Sequence, residues 1–93
     1  MVQVTSELEY FIGLVAEAKM HLLLVVHCRV GSDERRSEIW NLQTCTARAR
    51  QYCDEHGGLE SLPANLAVEL RVCEKAVEHF IVQDKRAETT SSQ

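Results

Sequence analysis

The sequence predicts an all-α protein, an antiparallel up-down-up three-helix bundle that self-associates. Three observations predict it. Apolar residues recur at helical spacing in three blocks, glycines separate those blocks, and no stretch alternates with a period of two over a useful length. Ninety-three residues make one domain with a small core, and a second copy would enlarge what that core can bury.

The first helix is expected over residues 6–30. Ser6-Glu7-Leu8-Glu9 reads as a capping box with both carboxylates at the positive end of the helix, and Gly31 is the natural stop just past Arg29. At about 100° per residue, Leu8, Phe11, Ile12, Leu14, Val15, Ala18, Leu22, Leu23, Val25 and Val26 share half the circumference. That width suits a helix touching two neighbours. Lys19 falls inside the arc, so it must reach outward or meet a carboxylate.

Ser32 caps the second helix, residues 33–56, with Asp33 and Glu34 in its first turn, and His56 before Gly57-Gly58 closes it. Its inward face holds Ile39, Leu42, Cys45, Thr46, Ala49, Tyr52, Cys53 and His56. Ser61 is expected to cap the third helix, residues 62–84, with Pro63 in the first turn. There Leu62, Leu66, Leu70, Cys73, Val77, Phe80 and Ile81 point inward. A second stripe of Val68, Val72, Ala76 and His79 widens the apolar face. One domain thus spans residues 1–86, and 87–93 read as a disordered tail.

Short turns make consecutive helices antiparallel, so residues at one height have numbers of constant sum, about 62 across the first turn and about 118 across the second. Glu17, Cys45 and Cys73 are then level, and Trp40 is level with Leu22. The four cysteines cannot converge, and their spacing lacks the close pairs of a zinc site. Glu17 and His21 read as an exposed pair four residues apart, and Cys53 with His56 supplies too few ligands for zinc. No nucleophile elbow, glycine-rich phosphate loop or Glu-x-x-His motif is present. No catalytic residue, metal ligand or cofactor is therefore assigned, and the chain is expected not to be an enzyme.

Net charge is −4 without a basic segment, and the arginines of the second helix are interspersed with Asp33, Glu34, Glu38, Asp54 and Glu55, which disfavours nucleic acid as a partner. Phe11 to Val30 is long enough for a membrane span, but Glu17, Lys19 and His21 lie within it, and no membrane partner is expected. The N-terminus lacks the form of a secretory signal, and the cysteines suit a reducing compartment; a cytoplasmic location is expected.

The anomalous residues are apolar ones outside the inward arcs. Met20 and Leu24 share a line with His27, and Trp40 lies near Arg36 on the outer side of the second helix. Tryptophan beside arginine is the composition of interface hot spots, and methionine adapts to varied contacts. Met20, Leu24, His27, Arg36 and Trp40 are the candidate partner-binding residues. The function expected is a small non-enzymatic protein–protein interaction module, whether regulator, adaptor, inhibitor or chaperone-like, binding another protein or a second copy as a homodimer. The alternative is a metal- or thiol-redox-responsive helical protein using Cys45, Cys53, Cys73 and His56.

Overall fold

The structure, a computed structural model, describes the backbone from residue 2 to residue 91 and the side chains of residues 8 to 87. Among the described residues it is all-helical. Helix α1 spans Val2–His27, α2 Asp33–Glu55 and α3 Ala64–Ser91, with a short 3-10 turn at Leu59–Ser61 before α3.

The turns are built by the expected glycines. Gly31 has φ +85°, a conformation that L side chains rarely adopt, and the hydroxyl of Ser32 accepts from the Arg35 N–H as the cap of α2. At the far end of α2, Gly57 has φ +97°, and the Gly58 N–H reaches back to the Cys53 carbonyl at 2.6 Å. That is a Schellman closure, in which the Cys53 carbonyl accepts from Gly58 as well as from His56.

The helix ends differ from expectation in four places. Helix α1 begins at Val2, so Ser6 lies inside it rather than capping it. It also stops at His27, because residues 28–32 are needed for the turn, with Cys28 N–H on Val25 and Ser32 N–H on Arg29. Ser61 does not cap α3; its hydroxyl lies 2.7 Å from the His56 and Gly58 carbonyls and secures the end of α2. The carbonyl of Pro63 instead starts α3, accepting from Leu66 and Ala67. Finally, α3 continues through residues 87–91, where the sequence predicts a disordered tail. That stretch contains neither glycine nor proline, and serine and threonine each cost a helix only a few tenths of a kcal/mol, about 0.5.

The core has two parts. Near the α2–α3 turn, Phe11, Leu14 and Val15 pack with Ala49, Tyr52, Cys53, Leu66 and Leu70. Near the α1–α2 turn, Ala18, Val25, Ile39, Leu42, Cys45, Cys73, Val77 and Phe80 do the same. Seven residues assigned to the apolar arcs are not buried there. Ile12, Leu23 and Val26 of α1, His56 of α2, and Val68, Val72 and His79 of α3 are exposed. An apolar arc covering half of a helix is wider than two neighbours can cover in a three-helix assembly, so its flank toward α3 stays open.

The polar contacts tie the helices at defined heights. Arg35 is buried and donates to Asp84 Oδ1 at 2.9 Å, to the Val25 carbonyl at 3.0 Å and to Gln83 Oε1 at 2.8 Å, with its guanidinium 5.1 Å from the Phe80 ring centre. One arginine therefore joins the end of α1, the start of α2 and the distal half of α3. Arg50 holds Glu74 through two nitrogens, and His21 Nδ1 donates to Glu38 at 2.6 Å.

Candidate functional site

All five candidate residues are exposed, but they form two groups rather than one. Met20, Leu24 and His27 follow one another along the outer side of α1. Trp40, 65% exposed, lies with Arg36 on α2. Glu38 of α2 meets His21, so it points at α1; two residues on, at about 100° each, Trp40 faces nearly the opposite way. Arg36 is held locally, 2.9 Å from Asp33 and 3.4 Å from the Gly31 carbonyl.

A third apolar surface lies between α1 and α3. Leu22 and Leu23 face Val68 and Val72 across a groove of about 270 Å³, with Cys73 at its floor and Lys19 and Glu69 on its rim. Leu23 and Val68 are each 60% exposed. Lys19 Nζ lies 3.1 Å from Glu69 Oε1, so this charge inside the apolar arc of α1 does meet a carboxylate. Sequence reasoning placed these aliphatic side chains in the core and missed the groove. Its signals were Lys19, a charge that marks the edge of the α1–α3 seam, and the extra stripe through Val68 and Val72.

The apolar exposure concentrates on α1. Its segment Leu8–His27 has a mean hydropathy of 1.4 and is long and apolar enough to cross a membrane, yet only 28% of it is buried in the protein. Most of the greasiest segment of the chain is thus outside the core. Tyr10 and Ile12 are exposed at one end, and Met20, Leu23, Leu24 and Val26 at the other.

Glu17 and His21 do not pair with each other. Each reaches α2: Cys45 Sγ donates to Glu17 Oε2 at 3.7 Å, and His21 holds Glu38. Burial, followed by the nearby Glu17 carboxylate, pushes the Cys45 thiol pKa up; burial is also the leading cause for Cys53 and Cys73. These thiols stay protonated at neutral pH, which opposes both nucleophilic attack and metal ligation. His56 donates from Nδ1 to the Tyr52 carbonyl at 2.8 Å and stacks on the Tyr52 ring at 4.0 Å, serving the helix end. Among the described residues, no three His, Cys, Asp or Glu side chains cluster as a metal site would. No protein-family model, curated protein or solved structure matches this chain.

Proposed function

We propose that this chain is a small, cytoplasmic, non-enzymatic protein–protein interaction module: an up-down-up bundle that self-associates and acts by seating a protein on its exposed apolar helix faces. The observation that carries this reading is the exposure of α1, whose apolar segment Leu8–His27 lies mostly outside the core. A soluble monomer rarely leaves an extended apolar surface open unless something covers it. Trp40 and Leu24 supply anchors, with Met20 as an adaptable contact. The up-down-up arrangement draws support from the paired contacts. His21 with Glu38 and Glu17 with Cys45 run in opposite directions along the two helices, as do Arg35 with Asp84 and Arg50 with Glu74.

The metal or redox alternative has less support, because burial keeps Cys45, Cys53 and Cys73 protonated and His56 is engaged at the end of α2. The test is capture of a partner from the native host with tagged wild type and with the Trp40→Ala/Leu24→Glu variant. A discrete protein retained by wild type and lost by an equally helical variant supports the reading. Equal recovery by both, or partition of the wild type into lipid vesicles instead, overturns it.

A further inference from the structure

We propose that the groove between α1 and α3 is occupied by the same groove of a second copy, α1 of each chain lying along α3 of the other; this rests on the interaction-module reading above and names its self-association surface. The groove is apolar along its length, with Leu23 on one wall and Val68 and Val72 on the other. Its rim carries one cation and one anion, Lys19 and Glu69, 3.1 Å apart. A surface that sets an anion over Lys19 and a cation over Glu69 covers this rim without repulsion. An identical groove, turned by half a revolution about an axis parallel to the helices, sets its Glu69 over Lys19 and its Lys19 over Glu69. The four charges then alternate, and each Leu23 faces the valines of the other chain. The surface is self-complementary in charge as well as shape, as a twofold interface requires.

Ile12 and Val26, exposed on the same flank of α1, extend the apolar strip beyond the groove in both directions.

Two measurements on the full chain test this. In sedimentation equilibrium at micromolar concentration the wild type is expected to be a dimer, and Leu23→Glu/Val72→Glu a monomer of unchanged helicity. Both replaced side chains are exposed in the single chain, so folding is spared while the interface acquires buried charges, weakening association by about 100-fold or more. In the second, Leu23→Cys and Val68→Cys proteins are oxidised separately and mixed; a cross-linked dimer joining the two different chains is expected only in the mixture. A monomeric wild type, or a dimer that survives Leu23→Glu/Val72→Glu, overturns the placement. A dimer lost instead in Trp40→Ala/Leu24→Glu overturns it too while leaving the interaction-module reading standing. A chain that neither dimerises nor captures a protein ends both.

Discussion

Replacing Arg35 by alanine removes a side chain that joins all three helices. Its guanidinium is 3% exposed and bonds Asp84, Gln83 and the Val25 carbonyl. Asp84 Oδ2 already has no hydrogen-bond partner, so without Arg35 the whole carboxylate is buried and unpaired. Breaking a buried ion pair from one side costs about 3–5 kcal/mol, a large share of the roughly 5–15 kcal/mol that holds a domain folded. At about 4–8 °C per kcal/mol for a chain of this size, Tm should fall by at least roughly 12 °C. The assay is urea and thermal unfolding followed by far-UV circular dichroism, on Arg35→Ala, Asp84→Leu and Arg35→Met/Asp84→Leu. The double variant should recover much of the loss, since removing both charges leaves no unpaired carboxylate. A loss below about 1 kcal/mol for Arg35→Ala, the scale of a surface pair, would refute the role given to it.

Three further outcomes are expected. Trp40→Ala should change stability by less than about 0.5 kcal/mol, whereas Phe11→Ala, at a fully buried position, should cost about 3–5 kcal/mol in the same denaturation assay. Gly31→Ala should cost about 1–2 kcal/mol, because φ of +85° strains any L side chain there although the space beside it is open. Burial raises the thiol pKa of Cys45, Cys53 and Cys73 above the ordinary value of 9.0, so the stability they contribute is complete below about pH 9 and is lost as pH rises through the elevated folded values. Denaturation midpoints should therefore decline in alkali beyond pH 9, and a thiol reagent at neutral pH should modify the half-buried Cys28 ahead of the other three.

The helix class and the turn chemistry were legible because they depend on local rules. Glycine at positive φ and serine at a cap act within four residues of themselves, so Gly31, Ser32 and Gly57 could be placed from spacing alone. Glu17 and Cys45, expected at one height, do touch. The rotation of each helix was not legible. Glu17 lies at the edge of the α1 arc, and only the actual packing decides that this edge meets α2 while the opposite edge, with Leu23, stands open beside α3. The same limit applied to Arg35. Its acceptor, Asp84, lies on another helix and answers to no local pattern. Trp40 and Leu24 are exposed, as their places outside the inward arcs predict, on faces turned apart.

The measurement that bears most directly on the proposed interaction module is photo-cross-linking from position 24 in the native host, with position 71 on the polar outer side of α3 as control. Leu24 and Arg71 are both exposed, so accessibility alone does not separate them. A discrete protein adduct from position 24, absent from position 71, is the expected result. Adducts to lipid alone, or the same diffuse products from both positions, would contradict the proposal that a protein covers the apolar side of α1.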